Sequence, residues 1–240
     1  MGLQTISAGF SDPGKSRKYN EDSFLNAPER GLWVVADGMG GHAAGDVASG
    51  MIVERLGKIA PPADPVAFLE AVENELLGVN QALREQAQQR RVSLIGATVV
   101  ALLAGKDFMM CGWAGDSRIY RYSSGKLKQL SRDHSMNQEM MDTGQFTVES
   151  LKAGAQSNAI TRAVGGEEKL YLDWSVADFS TGAQFLLCSD GLNKEVPDER
   201  IEQEFAKQLP PKQTAENLVR IALEHGGRDN VTTVVVSVSP

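Results

Sequence analysis

Apolar residues recur at helical and at strand spacings in different parts of the chain, so the pattern predicts both kinds of element. Steps of three and four residues predict a helix over residues 44–59 and a longer amphipathic helix over residues 66–90. The proline-rich segment between them, residues 60–65, is expected only to join the two helices. A third helix is expected over residues 214–224, because two glycines follow it and glycine commonly ends a helix.

Short runs rich in β-branched and aromatic residues predict strands elsewhere in the chain. The six clearest runs are residues 32–36, 97–104, 108–114, 118–122, 184–189 and 231–238. A hairpin turn is expected at the Ser-Ser-Gly sequence of residues 123–125. Strand pairs joined by turns, with grouped rather than alternating helices, favour an α+β fold over a doubly wound parallel sheet. The polar and weakly periodic stretch of residues 134–159 predicts a peripheral insertion.

The net charge of −7 narrows the range of expected partners. Binding to nucleic acid needs a basic surface, so no nucleic-acid partner is expected. The N-terminus lacks the basic and apolar regions of a signal peptide, and no apolar run reaches the roughly 20 residues needed to cross a membrane. We therefore expect a cytoplasmic protein with no membrane partner.

Cys111 and Cys188 are expected to stay reduced, with a disulfide between them as the less favoured alternative.

Four aspartates lie where predicted strands end or begin. Asp37 and Asp190 each end an apolar run and are followed by glycine, Asp116 ends a third run, and Asp229 comes just before the last strand. If the strand ends bring these carboxylates together, their mutual repulsion requires positive charge between them. Hard divalent cations such as Mg²⁺ and Mn²⁺ supply that charge and prefer oxygen ligands. Asp-Gly is also a common turn sequence, so spacing alone leaves a turn and a metal site both open.

A charged segment near the N-terminus contains candidate groups for binding phosphate. The planar guanidinium of Arg17 suits bidentate capture of a phosphate group, and Glu21 and Asp22 could hydrogen-bond to waters held by a metal. Taken alone, the segment is also typical of a charged surface turn. The glycine-rich residues 38–45 resemble a phosphate-cradling loop that opens a helix, but they lack the Gly-Lys-Ser/Thr ending of a Walker-type loop.

Seven short motifs follow one another along the chain. They are Arg17-x-x-Asn20-Glu21-Asp22, Val35-Ala36-Asp37-Gly38-Met39-Gly40-Gly41-His42, Gly115-Asp116-Ser117-Arg118, Asp133-His134-Ser135, Ile160-Thr161-Arg162-Ala163-Val164-Gly165, Ser189-Asp190-Gly191-Leu192 and Arg228-Asp229-Asn230-Val231-Thr232. Each motif is weak by itself. The ordered set closely resembles the metal-dependent protein phosphatases of the type 2C (PPM) family in their compact bacterial form, and the resemblance covers nearly the whole chain.

The resemblance implies a four-layer α-β-β-α sandwich, in which two central antiparallel sheets are flanked by helices. It implies one domain over residues 1–240, with a mobile flap at about residues 134–159. The implied activity is hydrolysis of phosphoserine and phosphothreonine on proteins. Phosphorylated proteins, with a bacterial Ser/Thr kinase and its targets among them, are therefore the expected partners. A monomer is expected, because no segment has the pattern of a dimerisation helix.

The resemblance also implies two core Mg²⁺ or Mn²⁺ ions and assigns each aspartate as a ligand of particular ions. Asp37 matches the carboxylate that bridges the two ions, and the Gly38 carbonyl matches a ligand of one of them. Asp190 and Asp229 match ligands of the other ion. Asp116, together with Asp190, matches a third and weaker metal site.

The remaining positions follow the same resemblance. Arg17 matches the arginine that binds the phosphate, and Glu21 and Asp22 match residues that hydrogen-bond around the metal ligands. A water between two divalent ions has a lowered pKa and can supply hydroxide near neutral pH. Such a nucleophile attacks phosphorus in line while Arg17 and the ions balance the phosphoryl charge, so no covalent enzyme intermediate is needed.

One position departs from the pattern of many eukaryotic members of the family. These carry a histidine directly after Asp-Gly that is proposed as the general acid, and Met39 stands there in this chain. His42 is the nearest substitute, and a structural histidine that caps the following helix is an equal alternative. A water bound to the third metal could instead protonate the leaving group. His134 is matched only as a residue beside the flap.

Two alternatives to a stand-alone protein phosphatase remain at the level of sequence. One is a catalytically silent relative that acts as a binding or regulatory module, against which the retention of all four aspartates and Arg17 counts. The other is a phosphatase of the stress-response or sporulation branch. That branch generally lacks the Arg-x-x-Asn-Glu-Asp opening, which is intact here.

Overall fold

Two antiparallel β-sheets form the centre of the molecule. The computed structural model describes residues 4–40, 44–144, 146–147 and 159–239. The strands are β1 (Gln4–Asp12), β2 (Asp22–Ala27), β3 (Leu32–Met39), β4 (Gly96–Ala97), β5 (Val99–Ala104), β6 (Phe108–Ala114), β7 (Arg118–Ser123), β8 (Lys126–Gln129), β9 (Asp173–Asp178), β10 (Gln184–Cys188) and β11 (Val231–Ser239). The first sheet has the order β1-β11-β10-β7-β8, and the second has the order β2-β3-β5-β6-β9 with β4 paired to β3.

Helices cover the outer face of each sheet. The helices are α1 (Gly45–Leu56), α2 (Pro65–Arg90), α3 (Met136–Asp142), α4 (Asp190–Asn193), α5 (Asp198–Ala206) and α6 (Pro211–His225), of which α3 has no buried residues and is not one of the covering helices. Helices α1 and α2 share one apolar cluster with the second sheet, and α4, α5 and α6 share another with the first sheet. A third cluster fills the space between the two sheets. The layers therefore run helix, sheet, sheet, helix, which confirms the predicted α+β four-layer sandwich.

Strand β3 shows why the central strands contain long apolar runs. Successive side chains of a strand point to opposite faces of the sheet. Trp33 and Val35 pack between the sheets, whereas Leu32, Val34 and Ala36 pack under α1 and α2. Because both faces are buried, the strand is a continuous apolar run rather than an alternation, and the same holds for β10.

Most of the predicted elements are present with shifted ends. The three predicted helices correspond to α1, α2 and α6, and the segment between α1 and α2 does join two helices. The predicted strand over residues 97–104 is interrupted at Thr98, whose backbone N–H donates to the Asp37 carbonyl at 2.9 Å. Strands β1, β2, β8 and β9 are not among the predicted runs, because their faces are partly exposed and their sequences mix polar and apolar residues.

The predicted insertion over residues 134–159 is only partly described. It contains α3, and an isolated antiparallel bridge joins Ser135 to Ile160 at its base. Residues 145 and 148–158, which the prediction also covers, lie outside the described residues.

Cys111 and Cys188 are free and buried, as expected for reduced thiols. They lie on β6 and β10, which belong to different sheets. Burial raises the pKa of Cys111 to about 12, so this thiol is unreactive at neutral pH. Within the described ranges, no helix is both long and apolar enough to span a bilayer.

Candidate active site

The four predicted aspartates come from both sheets and lie at one end of them. Asp37 is near the end of β3, Asp116 follows β6, Asp190 opens α4 directly after β10, and Asp229 precedes β11. Burial, followed by the negative charges of neighbouring carboxylates that include Asp190 and Asp116, raises the pKa of Asp37 well above its ordinary value. The strand ends therefore do bring these side chains together.

Two of these carboxylates are deeply buried and incompletely partnered. Asp116 is 2% exposed and Asp190 is 6% exposed. The Oδ1 atom of each has no hydrogen-bond partner among the described residues. Burial, and then the charge of Asp190, raises the pKa of Asp116 to about 7. An unpartnered buried carboxylate oxygen is unfavourable, and a cation between the two groups would satisfy both.

Two basic side chains reach the cluster from different directions. The Arg17 Nη2 atom donates to Asp229 Oδ2 at 2.9 Å, and the Arg17 Nε atom lies in ion-pair contact with Asp229 Oδ1 at 2.8 Å. This bond raises the pKa of Arg17. Lys194 donates to Asp190 from one helical turn further along. Burial lowers the pKa of Lys194, but the charge of Asp190, its hydrogen bond and the charges of Asp116 and Asp37 together outweigh burial, so the pKa is raised.

Asp22 lies directly opposite Asp37 in the pairing of β2 with β3. Its Oδ2 atom accepts hydrogen bonds from the Ser189 and Thr232 hydroxyls, both at 2.7 Å, and these residues belong to the other sheet. Its Oδ1 atom has no partner in the described part of the chain. Burial raises the pKa of Asp22 to about 7, against the two hydroxyl bonds. Asp22 thus links its own sheet, beside Asp37, to Ser189 after β10 and to Thr232 in β11.

Glu21 contributes its backbone as well as its carboxylate. Its N–H donates to the Asn230 side-chain carbonyl at 2.9 Å, and its own carbonyl accepts from the Gly38 N–H at 3.1 Å and from Ser49 Oγ at 2.5 Å. The predicted pair Glu21 and Asp22 is therefore fixed against both the Asp37 strand and the Asp229 loop.

The two Asp-Gly sequences are explained by close packing of backbone. A Cβ atom on Gly38 would lie 2.1 Å from the Gly45 carbonyl oxygen, and one on Gly191 would lie 2.0 Å from the Asn230 carbonyl oxygen. Neither neighbour is a flexible side chain that could move aside. Glycine after Asp37 and Asp190 is thus required for the neighbouring backbone segments to approach.

The donors present fit divalent cations. In the described residues, no group of three or more histidine, cysteine, aspartate or glutamate side chains is arranged to hold an ion. Asp190 and Asp229 are instead turned toward Lys194 and Arg17. Mg²⁺ and Mn²⁺ need few protein carboxylates because they retain several waters. The unpartnered Oδ1 atoms of Asp116 and Asp190 are suitable free ligands for such an ion.

Of the two predicted histidines, only His134 lies in the described part of the chain. His42 lies outside the described residues, and Met39 is the last residue of β3. His134 is buried, and the Gly115 N–H donates to its Nδ1 atom at 3.1 Å. The proton of a neutral ring is therefore on Nε2, which donates to Asp173 at 3.0 Å. Both nitrogens are engaged and burial lowers the pKa of His134, so this histidine connects the Asp116 loop to β9.

Sequence reasoning missed several residues that position the cluster. Lys194 could have been found, because it follows Asp190 by four residues and such pairs share one helix face. Asn230 holds the N-terminal loop through the Pro13 and Tyr19 carbonyls, at 2.8 and 2.9 Å. Contacts of this kind join residues far apart in the chain, so no local sequence pattern predicts them.

An arginine over a buried carboxylate cluster, set at one end of two facing antiparallel sheets with helices outside, defines the class of metal-dependent phosphatases. The family model described as protein phosphatase 2C matches residues 15–224. The chain belongs to the protein phosphatase 2C family. It is a metal-dependent protein serine/threonine phosphatase that acts on phosphorylated proteins.

Relatives and solved structures agree with this assignment. The serine/threonine phosphatase stp of Listeria welshimeri is 34% identical over 94% of this chain and 93% of its own length. PppA of Pseudomonas aeruginosa has a structure with a TM-score of 0.90, 42% identity and 98% coverage of both chains. The catalytic domain of the phosphatase PstP, in complex with two manganese ions, has a TM-score of 0.88 and 33% identity over 99% of this chain and 100% of that one.

Proposed function

We propose that the four aspartates are the metal ligands of this phosphatase. In this proposal Asp37 bridges two ions, the Gly38 carbonyl binds one of them, and Asp190 and Asp229 bind the other. Asp116 shares a third and weaker site with Asp190. The observation that carries the proposal is the pair of buried carboxylate oxygens, on Asp116 and Asp190, that lack partners in the described residues.

The ions are proposed to be Mg²⁺ or Mn²⁺, which suit carboxylate and carbonyl oxygens. When bound, such ions activate a water as the nucleophile and offset charge on the phosphoryl group. Arg17 is proposed to leave Asp229 and to bind the phosphate in bidentate fashion. Its present contacts with both Asp229 oxygens support this role, because a carboxylate offers the same geometry as two phosphate oxygens.

The residues around the ligands are proposed to orient them. Asp22 would hold the end of β3 through the Ser189 and Thr232 hydroxyls, and Glu21 would hydrogen-bond to waters on the ions. His42 remains our candidate for protonating the leaving alcohol. His134 is a poor candidate for that role, since both of its ring nitrogens already have partners.

We further propose that the chain opposes a bacterial Ser/Thr kinase and acts on the proteins that the kinase phosphorylates. PppA, which is 42% identical, is described as a key regulatory component of the type VI secretion system, so a regulatory role of that kind is one specific form of the proposal. Phosphoproteomics of a deletion strain would identify the sites. We also propose a single domain over residues 1–240 with a flap at about residues 134–159, a monomer, and a cytoplasmic location.

Turnover with and without metal tests the proposed function. We expect the purified chain to hydrolyse p-nitrophenyl phosphate and a phosphothreonine peptide in Mn²⁺ or Mg²⁺, and to lose both activities in excess EDTA. The expected change is at least about 10³-fold, because the nucleophile and the phosphoryl charge both depend on the ions. A well-folded chain with no turnover in any divalent metal would favour the catalytically silent module.

Asp116 offers a finer test of the proposed third site. We expect Asp116→Asn to lower kcat about tenfold without abolishing it, because the two core ions keep their other ligands. The Mn²⁺ concentration needed for half-maximal activity is expected to rise. The measurement is kcat for p-nitrophenyl phosphate across a Mn²⁺ series. A complete loss of turnover in Asp116→Asn would contradict an auxiliary role.

A further inference from the structure

The loop of residues 13–20 carries basic side chains at the mouth of the active site. Arg17 is largely exposed but contacts Asp229 and interacts with the charge of Glu21. Lys15 and Lys18, on either side of it, are exposed. Neither lysine forms an ion pair with any described residue. The loop therefore presents two available positive charges next to the side chain proposed to bind the phosphate.

The backbone of this loop is fixed relative to the aspartate cluster. Asn230 follows Asp229 directly, and its side-chain amide donates to the carbonyls at the two ends of the loop, Pro13 and Tyr19. The Lys15 N–H donates to the Gly227 carbonyl at 2.7 Å. Because these bonds tie the loop to the Asp229 segment, Lys15 and Lys18 keep a set distance from the site of hydrolysis even though their side chains lie in solvent.

An exposed aromatic side chain completes the surface. Tyr19 is 60% exposed, and the Lys18 Nζ atom lies 5.1 Å from the centre of its ring. This cation–π contact restrains the lysine without neutralising it. A flat exposed ring beside a lysine is suited to contact an extended peptide, because tyrosine supplies contact area at low conformational cost. We call Lys15, Lys18 and Tyr19 the docking rim.

The positive charge of the docking rim contrasts with the negative charge of the protein as a whole. The chain as a whole carries a net charge of −7, so an acidic substrate is repelled at long range. Two other cations beside the site, Lys194 and Arg228, are already paired with Asp190 and Glu195. The lysines of the docking rim are thus the basic groups near Arg17 that remain free for a substrate among the described residues.

We propose that the docking rim binds acidic residues flanking the phosphoserine or phosphothreonine of the substrate. An extended peptide advances about 3.4 Å per residue, and Lys15 and Lys18 lie two residues and one residue from Arg17. The proposal places the acidic side chains two to four positions from the phosphorylated residue, which is about 7 to 14 Å along an extended peptide. This inference rests on the phosphatase activity and specifies the class of sequence on which it acts.

Three matched peptides test the proposal. They share a phosphothreonine core and carry glutamate, glutamine or lysine at positions two to four on both sides. We expect kcat/KM to be about fivefold higher for the glutamate peptide than for the glutamine peptide, and lowest for the lysine peptide. The preference is expected to shrink as salt is raised from about 0.05 to 0.5 M, because exposed charges are screened.

Variants separate the docking rim from a general charge effect. The double substitution Lys15→Gln/Lys18→Gln is expected to remove the preference, whereas Lys15→Arg/Lys18→Arg retains it. A control, Lys126→Gln/Lys128→Gln, makes the same change in charge on exposed positions of β8 and keeps the preference. Turnover of p-nitrophenyl phosphate, which has no flanking residues, is measured for all four proteins, and each peptide preference is expressed as a ratio within one protein so that a change in basal turnover cancels.

Two results would overturn the proposal. One is equal kcat/KM of the unmodified chain for the three peptides, and the other is an acidic preference that survives in Lys15→Gln/Lys18→Gln. Both are distinguishable from failure of the phosphatase assignment itself, since in that case p-nitrophenyl phosphate would not be turned over by any of the proteins in Mn²⁺.

Discussion

The substitution Asp190→Asn is expected to lower the Mn²⁺-dependent kcat by about 10³-fold. The change removes one negative charge and keeps the shape of the side chain. Asp190 is proposed to serve both a core ion and the third site, and it is 6% exposed, so water cannot replace the lost charge. Loss of a metal that activates the nucleophile and stabilises phosphoryl charge removes several kcal/mol of transition-state stabilisation.

A matched control shows whether the fall in kcat is specific to the proposed metal site. Asp107→Asn makes the same chemical change in the exposed turn between β5 and β6, and its kcat is expected to remain within about twofold of the unmodified value. Both variants are compared in steady-state turnover of p-nitrophenyl phosphate at saturating Mn²⁺. A kcat for Asp190→Asn equal to that of Asp107→Asn would remove Asp190 from the metal site.

The metal-free protein is expected to lose stability as the pH rises from about 5 to 8. Asp22 and Asp116 have a pKa of about 7 in the folded chain because they are buried among other carboxylates, against 3.8 when unperturbed. A raised folded-state pKa contributes stability that is fully present below pH 4 and is lost as the pH passes through 7. A shift of about three pKa units corresponds to about 4 kcal/mol over the whole titration of one such carboxyl, of which roughly 2.5 kcal/mol falls between pH 5 and pH 8.

Urea unfolding in EDTA at pH 5 and pH 8 measures this effect as a change in the free energy of unfolding. Excess Mn²⁺ is expected to reduce the loss, because a bound cation offsets the repulsion between ionised carboxylates. The variant Asp22→Asn removes one of the titrating groups and is expected to show a weaker pH dependence. Equal stability of the metal-free chain at the two pH values would contradict the close packing of these carboxylates.

The sequence was most informative where burial leaves a strong local signal. Strands such as β3 and β10 contain continuous apolar runs because both of their faces are covered, and they were predicted with small errors at their ends. Strands β1 and β8 lie at the edges of the first sheet and are partly exposed, so their polar sequences resemble loops. Their pairing depends on partners that are distant in the chain.

In the candidate site, too, local motifs could be predicted from the sequence, whereas contacts between distant residues could not. The identities and order of the motifs around Asp37, Asp116, Asp190 and Asp229 predicted that these residues belong to one site, and the carboxylates do lie close enough to raise the pKa of Asp37. The ion pair of Arg17 with Asp229 spans 212 positions and could not be seen in any local pattern. Contacts of this kind depend on how the two sheets pack, which the sequence specifies only through the complete fold.

Calorimetric titration of the metal-free chain with Mn²⁺, at pH 7.5 and beside the same titration of Asp190→Asn, tests the central claim most directly. We predict that the unmodified chain binds at least two Mn²⁺ ions, and that Asp190→Asn binds fewer ions or binds them at least about tenfold more weakly. An unmodified, folded chain that binds no Mn²⁺, or two proteins with identical isotherms, would contradict a metal centre built on these aspartates.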